Sequence, residues 1–554
     1  MEDKYTIGLD YGTLSGRGVL VRCRDGEVIF SAEKEYTHGV MDNYLPDKKT
    51  ILPSEWCLEH PNDYLEVLEY VIIKLLKNSG INKEDIIGIG VDFTASTVLP
   101  IDAKGVPLCM KEEFAGRRNA YVKLWKHHSA QKQADHINTL LKELGQEDNP
   151  RFGGTVSPEL MVPKVLEMVQ EDPQVYDSAS EILEAGDWIT RVLTGSPGRS
   201  CSMAGYKAWW NQREGYPDRD FFAAVNPRME SFAEEKLPGK ICSVGEAVGT
   251  LSYEWAERLG LKEGIPVAPA IIDSHAGVPG SGVSHEGQAM LVLGTSSVML
   301  ALNDKPYSQK GVYGGVRDGV VPGYYALESG LAAVGDLFAW FVDNLVPVSC
   351  YKEAAEQGAD IYTLLNSKAE KLKAGESGLL VLDWWNGNKT PFVNGNLTGS
   401  ITGLTLNTKP EQIYQALIEA TAFGTRQILE LYQEGGVRIE EIIASGGIAS
   451  KNPMLMQIYA DVLGVDMKIA ASDQAAALGS AIYAALAAGL KRGGYDSYQE
   501  AVENMSRVKE KVYLFDADSK KKYDKLYQIY RNYSTVMGQK EKGILKGLHA
   551  IKNE

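Results

Sequence analysis

Short apolar runs alternate with helical stripes along this chain. Residues 5–10, Tyr-Thr-Ile-Gly-Leu-Asp, and 18–22, Gly-Val-Leu-Val-Arg, have the length and apolar content of strands. The segment 11–17 between them is rich in Gly, Thr and Ser, so the N-terminus is predicted to be a hairpin with Asp10 at the end of its first strand and Arg17 after its turn. Period 3.6 takes over at 62–77, where Tyr64, Leu65, Leu68, Val71, Ile72 and Leu75 form one apolar face. Further helices are predicted over 125–144, 157–170, 409–434, 452–463 and 475–490. The longest helix starts at Pro410 and stops at Gly435-Gly436. Strands alternating with helices predict an α/β protein with mixed sheets flanked by helices.

The centre of the chain carries the most chemistry. An apolar run at 269–272 stops at Asp273, and a loop is predicted over the following segment with Gly277, Gly280 and Gly282. A second strand, 289–293, then enters Gly294-Thr295-Ser296-Ser297. A carboxylate at a strand end can take a proton, and a bent Gly-Thr-Ser backbone can hold phosphate oxygens through its N–H groups. Taken alone, this stretch reads more readily as a surface Asp beside an ordinary hairpin.

Its counterpart changes that reading. Gly12-Thr13 in the first hairpin corresponds to Gly294-Thr295 in the second, and the stretch 83–96 parallels 439–450, each running from acidic residues into an apolar strand and a small-residue turn. Two matched pairs in the same order predict a duplicated fold, two halves with a cleft between them.

Length and charge narrow the function. The 554 residues exceed one core and suggest about three to four domain-sized units. A formal charge of −16 disfavours nucleic acid or an anionic membrane as partner. The six cysteines are scattered without Cys-x-x-Cys, as expected for buried thiols in a reducing, cytoplasmic setting. Met1 leads almost directly into a strand, which leaves no signal peptide, and the 475–490 stretch is too short and Ala-rich for a membrane span.

Several motifs are missing. There is no Gly-x-x-x-x-Gly-Lys-Ser/Thr, and no Gly-x-Gly-x-x-Gly opening a helix after a strand. His285-Glu286 lacks the second His of a zinc helix, and the adjacent His127-His128 are expected at the surface or a pocket rim. In the last sixty residues, Tyr523, Leu526, Tyr527, Tyr530 and Tyr533 fall at helical spacing, a stripe expected to pack on the body, with the nearby lysines solvated. What remains is two Gly-Thr-Ser hairpins, a Gly446-Gly447 turn able to approach a flat nucleoside, and two strand-end aspartates. Phosphoryl transfer uses such a set: donors and Mg²⁺ for the γ-phosphate, and a base for the acceptor hydroxyl.

These residues resemble the FGGY family of sugar kinases. Asp10-x-Gly-Thr-x-Ser-x-Arg17 and Leu293-Gly-Thr-Ser-Ser297 are similar to its two phosphate motifs. Gly399-x-Ile-x-Gly403-Leu404, followed after seven residues by Gln412-Ile-x-x-Ala416-Leu-Ile-Glu419, resembles its C-terminal motif, and Gly446-Gly447 with Asn452 its adenosine motif. One position departs: where the family usually has Trp three residues after a Lys, Lys164 is followed by Glu167, in what reads as scaffold. A narrower resemblance, to the branch that phosphorylates L-ribulose, is carried by Val91-Asp-Phe-Thr-Ala-Ser96, Phe152-Gly-Gly154, Glu184-Ala-Gly-Asp-Trp188, Ala204-Gly-Tyr-Lys-Ala208 and Asp383-Trp-Trp-Asn-Gly-Asn388.

The resemblance implies two duplicated actin/Hsp70/hexokinase-like (ribonuclease H-like) domains: 1–281 for sugar, the first phosphate hairpin and the catalytic Asp, 282–495 for nucleotide, and a helical extension over 496–554. It implies Asp273 as general base and Asp10 as the residue that places Mg²⁺ through water. Gly12, Thr13, Ser15, Arg17, Gly294, Thr295 and Ser296 would line the phosphates of ATP, and Gly446, Gly447 and Asn452 the nucleoside. Ala95, Lys207 and Glu328, with Asp273, would contact the sugar. Other readings stay open. Lys207 beside Trp209-Trp210 suits a cation–π contact, and Glu328 after Tyr324-Tyr-Ala-Leu327 suits a helix N-terminal charge. The implied activity is transfer from ATP to the 5-hydroxyl of L-ribulose in L-arabinose catabolism, with a homodimer as an open expectation. The alternatives are an FGGY kinase of D-ribulose, xylulose or a polyol, and a non-kinase ATPase of the same superfamily.

Overall fold

The computed structural model describes residues 3–147, 149–152, 154–540 and 551; Gly153 of the Phe152-Gly-Gly154 motif and most of 541–554 lie outside the described residues. Two main sheets share one plan. In the first half, Val28–Glu35, Ser15–Arg22 and Tyr5–Tyr11 form an antiparallel meander. The strand Ile86–Phe93 then pairs parallel to Tyr5–Tyr11, and Pro266–Val267 parallel to Ile86–Phe93. The second half repeats this with Tyr325–Leu331, Ser297–Asn303 and Gln288–Leu293 antiparallel. Glu441–Ser445 and Asp466–Ile469 follow as parallel strands. The duplication read from two hairpins and two strand-turn segments is thus a repeat of strand order as well as of sequence.

Helices cover the sheets where the periodicity places them. Pro61–Ser79 buries Tyr64, Leu68, Val71, Ile72 and Leu75. It is capped by His60, whose ring accepts the Asn62 N–H, and closed by Gly80 at φ 69°. Pro410–Glu434 and Pro453–Leu463 start on proline, which gives up an N–H that has no partner in the first turn. The C-terminal helix Ala517–Thr535 buries Tyr523, Tyr527 and Tyr530 against the second-half core. Their hydroxyls donate to the carboxylates of Glu419, Glu430 and Asp383. The tyrosine stripe is therefore packing, as its spacing predicts.

One helix ties the halves together. Ala475–Ala488 lies across the first-half sheet, although it follows the second-half strands in the chain. Gly8, Gly88 and Gly90 make this possible: a Cβ on each would come within 1.9, 2.3 and 1.9 Å of the helix carbonyls of Ala477, Ala484 and Ser480. A shared apolar cluster, including Val19, Ile87, Ala276, Met290, Ile443 and Ile482, fills the space between the halves.

Five expectations need correction. Residues after Asp273 form the helix Asp273–Ser281, not a loop. Its small residues serve close packing, since a Cβ on Gly280 would meet the Ala475 carbonyl at 1.8 Å and one on Gly479 the Ala276 carbonyl at 1.7 Å. The helix expected from 125 begins only at Gln131 (Gln131–Glu143), because 122–127 runs as a short strand and turns, and the 157–170 helix begins at Met161 (Met161–Glu171). His127 is fully buried, its Nε2 2.7 Å from Glu167, while His128 alone faces outward. Glu328 sits inside a strand, opposite Leu300, so it is no helix-end charge.

Candidate functional site

The two halves meet at a row of carboxylates. Tyr5–Tyr11 and Ile86–Phe93 are parallel and in register at Asp10 and Asp92, and Ile271–Ile272 joins the same sheet beside Asp92 and Phe93. Three neighbouring parallel strands therefore bring Asp10, Asp92 and Asp273 to one edge, because in a parallel sheet the strand ends align.

Burial governs their chemistry. Desolvation pushes Asp273 up to about 7, assisted by the negative charges of Asp10 and Glu328 and opposed by the Ser274 N–H, 2.6 Å from its Oδ1, and by Lys207. Desolvation also raises Asp10, against the pull of Arg17, whose Nε lies 3.4 Å from it. Asp92, fully buried, is raised further by desolvation and by Asp10, although the Ser480 hydroxyl donates to its Oδ2 at 2.7 Å. Among the described residues no N–H or hydroxyl donates to its Oδ1, and its carboxyl neighbour is Asp10. Two adjoining acids, Asp92 buried and Asp10 partly exposed, with one such oxygen suit a divalent cation, whose charge would favour both ionised forms.

Opposite this edge stand Lys207 and Glu328. Lys207 is half-buried on the helix Cys201–Ala208, and its charge acts on Asp273, Glu328 and His275. Among the described residues the cation–ring contacts leave Lys207 out, so the cation–π reading is not the one realised. Burial opposes ionisation of Glu328, but the imidazole hydrogen bond and the charges of Lys207 and Lys389 outweigh it and hold the carboxyl down at about 2. His275 Nε2 lies 2.8 Å from Glu328 and its Nδ1 3.2 Å from the Ser202 hydroxyl, with the ring against Tyr206. Burial lowers the pKa of this fully buried imidazole. A neutral ring donating Nε2–H to Glu328 and accepting from Ser202 satisfies all three groups. Ala95 is the part-exposed member of an otherwise buried stretch, 91–100, at the end of the Asp92 strand.

The first hairpin turns at Gly12-Thr13-Leu14, tighter than the 11–17 turn expected. Thr13 Oγ1 accepts the Trp125 indole N–H at 3.2 Å, and the Ser15 hydroxyl donates to Glu33 at 2.7 Å. In the second hairpin the carbonyls of Gly294 and Thr295 accept the N–H groups of Gly335, Val334 and Asp336, which locks the turn to the start of the helix Gly335–Leu345. Gly294, Thr295, Gly447 and Asn452 border one cavity of about 610 Å³. Ser296 and Gly446 belong to the same turns without lining it; Gly446 packs on the Leu293 carbonyl, which a Cβ would approach to 2.4 Å. Asn452 caps the helix Pro453–Leu463 and donates to Asn366 and towards the Tyr414 hydroxyl. Phe338, Tyr362, Asn366, Tyr414 and Lys451, which the sequence did not single out, complete the cavity. They come from segments more than a hundred residues apart, and no local spacing marks them.

A cavity bordered by two Gly-turns of the second half, an acid row on the first-half sheet and a Lys207–Glu328 pair drawn from both halves suit a group transfer from a bound phosphate donor to a small polyol. The N-terminal domain of the FGGY family of carbohydrate kinases matches residues 5–280, and its C-terminal domain matches 289–488. The chain belongs to the FGGY family of carbohydrate kinases. Membership disfavours the non-kinase ATPase alternative. This kinase is 49% identical over 540 residues to a ribulokinase of Bacillus licheniformis, covering 98% of each chain. It is 45% identical over 553 residues to a ribulokinase of Halalkalibacterium halodurans, covering 100% of this chain and 98% of the relative. The solved structure of a xylulose kinase from Rhodospirillum rubrum superposes with a TM-score of 0.79, covering 96% and 99% of the two chains at 22% identity, a likeness of fold alone. No helix among the described residues is long and apolar enough to cross a membrane.

Proposed function

We propose that this kinase transfers the γ-phosphoryl group of ATP to the 5-hydroxyl of L-ribulose, giving L-ribulose 5-phosphate and ADP in L-arabinose catabolism. The observation that carries the reading is the placement of Asp273: a strand-end carboxyl raised to about 7, beside Lys207 and Glu328, in a chain nearly half identical, end to end, to ribulokinases.

Lys207 supplies donors and Glu328 an ionised acceptor, so hydroxyls of an open-chain ketose can be fixed from both sides, with Ala95 leaving room where a larger side chain would intrude. The terminal hydroxyl then faces Asp273. Asp273 takes its proton as the O5–phosphorus bond forms and the bond to the β-phosphate oxygen breaks, and the electron pair leaves on ADP. A pKa near 7 suits a base that must be ionised before the step and protonated after it. Gly294, Thr295 and Ser296 on one side and Gly12, Thr13, Ser15 and Arg17 on the other hold the phosphate chain, and Gly446, Gly447 and Asn452 the nucleoside. Asp10, beside Asp92, would hold Mg²⁺ through water; bound there, the ion would neutralise charge building on the transferred phosphoryl group. Closure of the halves would exclude water, which otherwise competes for ATP. The working division is 1–281, 282–495 and 496–554. The test is turnover across a sugar panel with ATP and Mg²⁺, read as sugar-dependent ADP release.

A further inference from the structure

The loop that presents Ala95 is held from behind by buried charge. Residues 94–97 link Ile86–Phe93 to Val98–Ile101, and Ser96 adopts φ 55°, a left-handed conformation that a side-chain-bearing residue keeps only where its surroundings impose it. The surroundings are specific. Lys164 is fully buried, and its Nζ donates to the Ser96 carbonyl at 2.6 Å and to the Leu124 carbonyl at 2.8 Å. Glu184, also buried, accepts the Thr97 N–H at 2.8 Å through Oε2, and among the described residues its Oε1 has no hydrogen-bond partner. Burial pushes Lys164 down to about 7 and Glu184 up to about 7, and the charge of each opposes the shift of the other.

Lys164 also reaches the phosphate wall. Leu124, whose carbonyl it holds, precedes Trp125, and the Trp125 indole N–H donates to Thr13 in the first phosphate hairpin. One turn along the same helix, Glu167 binds Lys123 and sits 2.7 Å from His127. The family's usual Trp at this place could make neither contact, so the departure at Glu167 fastens the 122–127 segment to the helix that carries Lys164.

We infer that Lys164 and Glu184 are positioning residues for sugar selection: they set the Ala95 loop against the sugar, in register with the Thr13 hairpin, without touching either substrate. A neutral side chain at 164 would leave the Ser96 and Leu124 carbonyls without their shared donor, and the loop would lose its single conformation. The inference rests on Ala95 facing the sugar. It deepens the proposed function by locating selectivity in a buried pair outside the cleft.

The test compares wild type, Lys164→Met and Glu184→Gln with L-ribulose, D-ribulose and xylulose. Lys164→Met keeps the volume and loses the donors; Glu184→Gln keeps an oxygen for the Thr97 N–H and loses the charge. For Lys164→Met the KM for the preferred sugar should rise about tenfold or more, the ratio of kcat/KM between sugars should shrink, and the KM for ATP should stay within about twofold. Glu184→Gln should move the same quantities in the same direction by less. Unchanged sugar KM and selectivity in a folded Lys164→Met protein would overturn the inference. If that variant does not fold, unchanged values in Glu184→Gln overturn it instead. The wild-type ranking of sugars tests the substrate assignment separately, because the inference is read from variant-to-wild-type ratios on whichever ketose is preferred.

Discussion

Replacing Asp273 by Asn separates the chemistry of this site from its architecture. The amide is isosteric, and its Oδ1 can still accept the Ser274 N–H now 2.6 Å from the carboxylate. The strand end and the helix Asp273–Ser281 should therefore stand. What disappears is a base. A positioned general base is worth about 10²–10⁴ in rate, or roughly 3–5 kcal/mol of barrier at about 1.4 kcal/mol per decade. We expect kcat to fall by that factor while the KM for ATP holds, measured by coupled ADP release. The pH profile adds a second readout. The carboxyl stands at about 7 instead of its ordinary 3.8, and the base works only when ionised. Wild-type kcat/KM should therefore climb with pH up to about 7 and level off above it, whereas the residual activity of the variant should lack that limb. Stability should move the opposite way. A carboxyl whose folded pKa is raised contributes stability that is full below its unfolded value and lost as pH rises through about 7. Above pH 7 the Asn variant should melt no lower than wild type. Normal turnover by Asp273→Asn, or an acid limb that survives in it, would remove Asp273 from the mechanism.

Two further outcomes follow from packing and from the Glu328 contact. Gly90→Ala puts a Cβ 1.9 Å from the Ser480 carbonyl on the helix whose Ser480 hydroxyl also holds Asp92, so thermal unfolding should show a loss of about 1–3 kcal/mol together with reduced kcat; an unchanged melting temperature would show that the helix is not seated on that sheet. His275→Ala removes the donor to Glu328 and should raise the sugar KM about tenfold, in keeping with the roughly 1.5–3 kcal/mol of a hydrogen bond to a charged group, without changing the KM for ATP. His275→Gln, which can present an N–H near the same place, should recover part of the loss, and equal KM values in all three proteins would exclude the contact from sugar binding.

The parts legible in the sequence are those where local pattern and fold agree. The hairpin at Asp10, its repeat at Gly294 and the helix over 62–77 follow from apolar spacing and turn residues, because each buries one face against its own half. The helix Asp273–Ser281 was not legible: Gly277, Pro279 and Gly280 look like a loop, yet they are what a helix needs to lie against Ala475–Ala488 at backbone contact. The place of His127 is not legible either: two adjacent histidines on a helix point to different faces, whereas the segment is a strand and turn that sends one ring into the core. The acid at Asp92 beside Asp10, and the partner of Glu328 at His275 on the helix Asp273–Ser281, arise only when segments distant in the chain are brought side by side. The walls of the cavity beside Gly294 and Gly447 arise the same way, from Phe338 to Asn452.

The central claim is the pairing of this acid row with one sugar. Purified protein with saturating ATP and Mg²⁺ should be offered L-ribulose, D-ribulose, xylulose and a polyol in turn, and ADP release measured for each and with no sugar. L-ribulose should give the highest kcat/KM, with little turnover when sugar is left out. Equal or higher kcat/KM on xylulose, or ATP turnover indifferent to sugar, would contradict that claim.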